Sequence, residues 1–309
     1  MRVEPPDQGG RDLTTDVLDW FDAHQRDLPW RAPDRTPWGV LVSEVMLQQT
    51  PVSRVLPAWQ DWMLRWPTPS DLADEVPGEA VRQWGRLGYP RRALRLHAAA
   101  TRIAVEHHGA VPSDETALRA LPGVGEYTAA AVRAFAFGRR AVVLDTNVRR
   151  VLARLVGGQE NPPAGPTVAE RSEAEALLPV DDAAAARWSV AVMELGALVC
   201  TAVAPDCPQC PLAGSCAWRS AGRPQGNRPR LVQRFEGTDR QARGRLMAVL
   251  RAASAPVGSD QLAGAWPTDP IQRERALRGL IADGLVEMAG KEGYWLPGLA
   301  RATRTAAER

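Results

Sequence analysis

Lysine is almost absent from this chain of 309 residues, which contains 38 basic residues but a single lysine, Lys291. Residues 1–290 therefore offer no side-chain amine that could form a Schiff base. Nearly every basic contact must come from a planar guanidinium, which suits phosphate. The formal net charge is only +2, so composition alone does not indicate a nucleic-acid-binding protein.

Long hydrophobic runs are also missing, since no stretch reaches the roughly 18 apolar residues of a membrane span. Residues 1–16 are polar and have no apolar core, so we expect neither a signal peptide nor a membrane partner. The default compartment is the cytoplasm. The hydrophobic fraction of 45% is ordinary for a globular protein, and the length suits about two domains.

Apolar residues at helical spacing predict a mainly α chain through residue 216. The predicted helices cover 16–25, 37–48, 55–66, 71–87, 91–107, 115–120, 126–137, 146–156, 168–178 and 183–198. Residues 217–245 contain eight arginines and two acids, which indicates a basic linker, placed at 221–240. Three further helices (245–253, 259–266, 270–283) and a hairpin (286–288, 294–296) predict a winged-helix-like domain at 241–300. We expect the tail 301–309 to be disordered.

The four cysteines, Cys200, Cys207, Cys210 and Cys216, are separated by six, two and five residues. Four thiols in so short a window indicate a metal site rather than a disulfide framework. They could hold a tetrahedral zinc ion or a 4Fe–4S cube. A zinc ribbon normally has two Cys-x-x-Cys pairs, and the single pair here favours iron–sulfur.

The turn Leu121-Pro122-Gly123-Val124-Gly125 separates two predicted helices. Glycines at a helix start let backbone N–H groups face outward, where they can hold a DNA phosphate. An ordinary helix–helix loop is the alternative.

Three further residues are candidate functional residues only because of their order along the chain. Glu44 lies among apolar residues on the helix 37–48, where desolvation can turn a carboxyl group into an acid, although most helix glutamates are solvated. Asp145 precedes a helix and is either its N-cap or a stabiliser of a cationic sugar. Tyr127 follows the glycine-rich turn, where a packed aromatic is the simpler interpretation.

Taken together, these motifs resemble the helix–hairpin–helix glycosylase superfamily, and in particular the MutY-type adenine glycosylases. The similar stretches are 27–31, 42–50, 87–89, 121–128, 144–151 and 194–200, and the cysteine spacing is that of the family's iron–sulfur site. The resemblance covers about residues 12–220. It implies a two-lobed helical fold with a six-helix lobe (34–145) and a lobe that binds a 4Fe–4S cluster (12–33 and 146–220).

The resemblance also assigns roles residue by residue. Glu44 matches the general acid that protonates adenine N7, and Asp145 matches the carboxylate that stabilises the oxocarbenium-like sugar. Tyr127 matches an active-site tyrosine at the position where bifunctional relatives carry a Schiff-base lysine, which implies a monofunctional enzyme. The remaining predicted DNA or substrate contacts are Trp30, Arg31, Leu47, Gln48, Gln49, Tyr89, Gly123, Gly125, Asn147, Arg219 and Arg223.

The implied substrate is double-stranded DNA with adenine opposite 8-oxoguanine or guanine, bound by a monomer in the nucleoid. The chain departs from the family pattern at Pro90, which replaces a frequent second tyrosine, and at Ser189-Val190, which replaces a polar pair. The segment 201–206 lacks basic residues, so DNA contact could shift to Arg219, Arg223, Arg228 and Arg230. No Nudix-like module follows the catalytic region.

Two rival hypotheses remain at this stage. A thymine glycosylase for T·G mispairs would share the cysteines, the turn, Tyr127 and Asp145 but would not need the acid Glu44. A non-enzymatic DNA-binding protein that uses the winged helix and a metal site would need neither carboxylate.

Overall fold

The computed structural model describes residues 12–226, 235–290 and 293–299. The helices are α1 (Leu13–His24), α2 (Pro37–Leu47), α3 (Val52–Arg65), α4 (Pro69–Ala73), α5 (Pro77–Gln83), α6 (Arg91–Glu106), α7 (Glu115–Ala120), α8 (Glu126–Phe137), α9 (Thr146–Leu155), α10 (Val168–Leu177), α11 (Asp182–Leu198), α12 (Ala217–Ser220), α13 (Asp239–Ala252), α14 (Ser259–Ala265) and α15 (Pro270–Ala282). Strands β1 (Glu287–Met288) and β2 (Tyr294–Trp295) pair antiparallel. The chain divides into two compact units, one of residues 1–35 and 126–229, the other of residues 36–125 and 230–309.

The first unit is built on α9 and α11, with α1, α8, α10 and α12 packed against them. Its core contains Val17, Leu152, Trp188 and Leu195, all buried. The helices α9 and α11 approach closely at Gly196, where an added Cβ would lie 2.7 Å from Cβ of Asn147. A glycine is therefore needed at this crossing, because any side chain would force the two helices apart.

The second unit combines the six helices α2–α7 with the C-terminal segment. Its centre is a tryptophan cluster in which Trp62 lies edge-on to Trp66 and Trp84, with ring centroids 4.6 and 5.7 Å apart. All three indoles are almost completely buried. This cluster joins α3 to α5 and supplies much of the apolar area that stabilises the unit.

The C-terminal segment, residues 238–299, consists of α13–α15 and the β1–β2 hairpin, as the sequence predicts. It is attached to α5 by hydrogen bonds to backbone carbonyl oxygens. Pro297 O accepts a hydrogen bond from Gly78 N at 2.7 Å, and Val81 O accepts one from Arg251 Nε at 3.0 Å. In return Arg82 Nη1 donates to Ala253 O at 2.8 Å. The segment therefore forms part of the second unit, together with α2–α7.

Most predicted helices are confirmed to within a few residues, but two are wrong. Residues 71–87 do not form one helix. Pro77 lacks an N–H and restricts Val76 to an extended backbone (φ −75°, ψ 146°), so α4 and α5 are separate. The helix predicted at 245–253 begins at Asp239, because the Thr238 side chain caps its first turn.

The predicted domain boundaries stay a prediction. In the structure, α8 belongs to the first unit, whereas the resemblance implies that it lies in the six-helix lobe. Residues 227–234 of the predicted linker and the tail 301–309 lie outside the described residues. Within the described ranges, no helix combines the length and apolar character that crossing a membrane requires.

Candidate active site and cysteine loop

Glu44 lies in the middle of α2, the most apolar helix of the second unit. Thr36 caps this helix by accepting a hydrogen bond from Gly39 N at 3.0 Å, and Pro37 occupies its first position. Glu44 is only 4% exposed, so the interpretation as a solvated helix glutamate is wrong. A carboxyl group buried on an apolar helix is in the kind of environment in which general acids are found.

The C-terminal end of α2 and the loop that follows it carry three of the predicted contacts. Leu47 and Gln48 are half-buried, and Gln49 is exposed with a left-handed backbone (φ 56°). Tyr89, in the loop between α5 and α6, is 54% exposed and also left-handed (φ 46°). The side chains of Gln49 and Tyr89 are therefore accessible from outside the protein.

The glycine-rich turn has the conformation that the sequence predicts at one of its two glycines. Gly123 adopts φ 82°, and an added Cβ there would lie 2.9 Å from Cβ of Arg95. Gly125 does not have a positive φ, and its Cβ direction is open. Both glycines are exposed, so the backbone of the turn is accessible to a phosphate.

Asp145 caps α9 in the first unit. Its Oδ1 accepts a hydrogen bond from Val148 N at 2.6 Å, and its Oδ2 accepts one from Asn147 Nδ2 at 2.8 Å. Burial raises the pKa of Asp145, against the opposing effect of these hydrogen bonds. A positive charge that formed beside the carboxyl group would favour its ionised form. The N-cap role is thus confirmed, and it leaves the carboxylate rigidly oriented.

Asn147 also links Asp145 to the loop that begins at Cys200. Asn147 Oδ1 accepts a hydrogen bond from Arg150 Nη2 at 2.7 Å. The same guanidinium donates to Gly196 O at 2.6 Å and, through Nε, to Cys200 O at 2.7 Å. A continuous set of hydrogen bonds therefore joins the capping carboxylate to the backbone of the first cysteine.

Arg31, a predicted substrate contact, is held by an ion pair that the sequence analysis did not anticipate. Glu194 is completely buried on α11 and pairs with Arg26 at 2.6 Å and with Arg31 at 2.9 Å. Burial acts to raise the pKa of Glu194, but the hydrogen bonds from Arg26 and Arg31 outweigh it and bring the pKa to about 2. Arg31 Nη1 is buried without a hydrogen-bond partner among the described residues.

The other two predicted aromatic contacts also lie in the first unit. Trp30 is 5% exposed in the short 3₁₀ turn Pro29–Arg31. Tyr127 is partly buried in the first turn of α8 and packs against Ala131 and its apolar neighbours. Both are therefore fixed side chains rather than mobile surface groups.

The four cysteines occupy the loop from the end of α11 to the start of α12. Each thiol is partly buried, and three of them pack against the core of the first unit. Burial raises the pKa of Cys210 to about 11, and the thiols of Cys200, Cys216 and Cys207 add to the effect. Among the described residues, no group of three or more His, Cys, Asp or Glu side chains has the arrangement of a metal site.

The chemistry of this donor set nevertheless fits a thiolate-bound group. Four sulfurs lie in one loop, and Arg154 Nη1 donates to Cys200 Sγ at 3.3 Å. Hydrogen bonds to sulfur are among the features that tune iron–sulfur clusters. Arg154 is itself fixed, because it stacks on Trp218 at 4.6 Å and donates to Thr201 O at 2.8 Å.

The predicted basic contacts after the cysteines lie partly within the described residues. Arg219 and Arg223 are both exposed, and Arg219 Nη1 donates to Ala213 O at 3.0 Å. Arg228 and Arg230 lie outside the described residues.

The sequence motifs did not identify the arginines that organise these loops, above all the buried Arg92 and Arg154 and the half-buried Arg150. The sequence does contain one signal for Arg92. It occupies the same face of α6 as Leu96, Ala99 and Ile103, all buried, and an arginine on an apolar helix face must find acceptors inside the protein.

Comparison with known proteins places this geometry in a family. Residues 42–175 match the model of the HhH-GPD superfamily of base excision DNA repair proteins. The chain is 52% identical over 297 residues to the adenine DNA glycosylase of Mycobacterium tuberculosis, covering 96% of this chain and 97% of the relative. It is 51% identical over 291 residues to the adenine DNA glycosylase of Mycolicibacterium smegmatis, covering 94% and 98%.

A solved structure of a thermostable thymine-DNA glycosylase is similar with a TM-score of 0.61 and 27% identity, over 67% of this chain and 95% of that one. The mainly α helix–hairpin–helix fold predicted from the sequence is thereby confirmed. The chain belongs to the HhH-GPD superfamily of base excision DNA repair proteins.

Proposed function

We propose that the chain is a monofunctional adenine DNA glycosylase that removes adenine mispaired with 8-oxoguanine or guanine. Identity of 52% over nearly its whole length to a relative of that activity supports the reaction. The observation that carries the chemistry is the buried Glu44 on α2. A purine becomes a leaving group when it is protonated, and a desolvated carboxyl group supplies that proton near neutral pH.

Asp145 is the second carboxylate of the proposed mechanism. As the glycosidic bond breaks, positive charge develops on the sugar, and an oriented carboxylate lowers the energy of that state. The hydrogen bonds from Val148 and Asn147 hold Asp145 in one orientation before the substrate arrives. Adenine leaves with the proton from Glu44, and water then adds to the sugar cation and releases a proton to the solvent.

The reaction stops after the glycosidic bond is cut and the DNA strand stays intact, because the protein has no lysine at the position of Tyr127. A true β-lyase forms a Schiff base with the abasic sugar. Borohydride should therefore trap little covalent complex between the wild type and abasic DNA. The prediction would be contradicted if borohydride trapped the complex efficiently and if trapping were lost only on mutation of a residue other than the N-terminus.

The four cysteines are the proposed ligands of a 4Fe–4S cluster. When bound, such a group would tie the loop 200–216 to the core of the first unit. The purified protein should be brown with broad visible absorbance. A purified protein that contains zinc and no iron would refute the assignment.

The decisive experiment for the reaction is single-turnover cleavage of defined duplexes. The panel contains adenine opposite 8-oxoguanine, guanine and cytosine, and thymine opposite guanine. We expect cleavage of the first two, with weaker discrimination between them than in relatives that carry a Nudix module. The control is Glu106→Gln, a change on an exposed face of α6, and it should leave cleavage intact.

Glu44→Gln should abolish excision while the protein still binds the duplex. Excision of thymine but not adenine would instead identify a thymine glycosylase, the activity of the similar solved structure. Binding without any excision would favour the non-enzymatic alternative. The protein is expected to act as a monomer on double-stranded DNA.

A further inference from the structure

Two loops of the second unit hold a non-glycine residue in the left-handed region. Gln49 follows α2 and Tyr89 precedes α6, with φ values of 56° and 46°. L-amino acids with a side chain rarely adopt this conformation, which persists only where the surroundings impose it. Both side chains are largely exposed, so burial of these side chains is not what fixes the backbone.

One guanidinium reaches both loops. The side chain of Arg92, near the start of α6, is 6% exposed and points between them. Its Nη1 donates to the carbonyl oxygens of Val45, Met46 and Gln48 at 2.9, 2.9 and 2.6 Å, and its Nη2 donates to Thr50 Oγ1 at 2.9 Å and Gly88 O at 3.1 Å. Thr50 Oγ1 in turn donates to Leu87 O at 3.2 Å, which ties the first loop to the second directly.

Arg92 also has no carboxylate partner among the described residues, and its guanidinium lies over the rings of Trp84 (5.2 Å) and Tyr89 (5.5 Å). Burial lowers its pKa to about 10, so it remains charged at neutral pH. The carbonyls that it binds are the negative end of α2. Burying a charge without a carboxylate partner costs free energy. The planar guanidinium, with donors on several nitrogens, is the feature that lets one side chain bind both loops.

We propose that Arg92 is a positioning residue that fixes the loops of Gln49 and Tyr89 in the conformation with which they enter a DNA duplex. The inference rests on the proposed function, because a glycosylase must unstack a base before it can act. Loops that are ordered in the free protein do not lose conformational entropy on binding, so the affinity for DNA is higher. Arg92 acts through the two loop residues and touches no reacting atom.

The test is the affinity for a duplex that carries an uncleavable abasic analogue opposite 8-oxoguanine, together with the single-turnover rate on adenine opposite 8-oxoguanine. Lysine cannot span both loops, so Arg92→Lys should weaken binding by about tenfold, a typical coupling between contacting groups. Iron content should not change, because the cysteines lie in the other unit. Arg65→Lys is the matched control, since Arg65 also stacks on a tryptophan, Trp66 at 4.6 Å, but pairs with carboxylates.

A double-mutant cycle separates positioning from general stability. In a Gln49→Ala/Tyr89→Ala background, Arg92→Lys should change the affinity by less than about twofold, because the residues through which it acts are gone. An equal loss in both backgrounds would overturn the proposal. If Arg92→Lys does not fold, Thr50→Val replaces it in the same cycle, with Thr50→Ser as the variant that restores affinity.

The outcomes also distinguish this inference from the proposed function. A wild type that binds the duplex but excises no adenine refutes the proposed activity, and the affinity cycle still decides the role of Arg92. If the wild type excises adenine but the double-mutant cycle is additive, the proposed activity stands and the positioning role of Arg92 is refuted.

Discussion

The effect of Glu194→Gln on the free energy of unfolding can be predicted from the structure, because this completely buried carboxylate pairs with two arginines. Glu194→Gln keeps the shape of the side chain but removes the charge that Arg26 and Arg31 share. The pKa of about 2, against an ordinary value near 4.5, corresponds to roughly 3 kcal/mol of folding stability at neutral pH. Loss of one partner from a buried ion pair usually costs a similar amount.

The assay is urea unfolding followed by tryptophan fluorescence, with Asp22→Asn as the control. Asp22 pairs with Arg187 on the surface, where both side chains are 53% exposed, so its loss should cost at most about 1 kcal/mol. Glu194→Gln should lower the free energy of unfolding by about 3 kcal/mol. Equal losses in the two variants would refute the claim that burial makes the Glu194 pair important.

The dependence on pH gives a second check of the same reasoning. Because the folded-state pKa of Glu194 is depressed, its stabilisation is present in full above about pH 4.5 and is lost as the pH falls toward about 2. The difference between wild type and Glu194→Gln should therefore shrink by about half at about pH 3. A difference that is the same at neutral pH and at this acidic pH would show that ionisation of Glu194 does not produce it.

Three further predictions concern packing and the cysteine loop. Gly196→Ala should destabilise the protein by about 1–3 kcal/mol and slow adenine excision, because the new Cβ would displace Asn147 from Asp145; unchanged unfolding and cleavage would contradict the α9–α11 contact. Gly244→Ala, on an exposed face of α13 with open space around it, should instead stabilise by about 0.5–1 kcal/mol in the same urea assay, and a loss would show a hidden contact. Cys210→Ser should remove the visible absorbance and lower the unfolding temperature, and an unchanged iron content would exclude this thiol as a ligand.

The sequence predicts those helices whose ends are marked by a capping residue, a proline or a glycine nearby in the chain. Helix α2 begins at Pro37 behind the Thr36 cap, and α8 ends where Gly138 adopts φ 61°. The failures are also local in origin. Apolar spacing continues through Pro77 and conceals the break between α4 and α5, and the arginines around Thr238 conceal the cap that starts α13 earlier than expected.

The candidate site could be predicted only in part, because its supporting contacts join distant parts of the chain. Glu44 and Asp145 are recognisable from their motifs, and the burial of Glu44 agrees with the role assigned to it. Nothing near Glu194 in the sequence indicates a partner 168 residues away, at Arg26. The same holds for Arg92, four of whose five acceptors lie more than forty residues earlier, on α2 and its loop.

The scarcity of lysine acquires a second explanation once the buried arginines are considered. The sequence suggests that guanidinium groups serve phosphate contacts, yet Arg92, Arg149 and Arg154 are each less than 10% exposed and bind backbone carbonyls of loops. Arg154, for example, donates through Nε to Glu160 O at 2.9 Å and through Nη1 to Thr201 O at 2.8 Å. A compact ammonium group cannot reach acceptors spread over such a width. These arginines cannot release counterions from DNA, so the salt dependence of binding should correspond to fewer phosphate contacts than the number of arginines suggests.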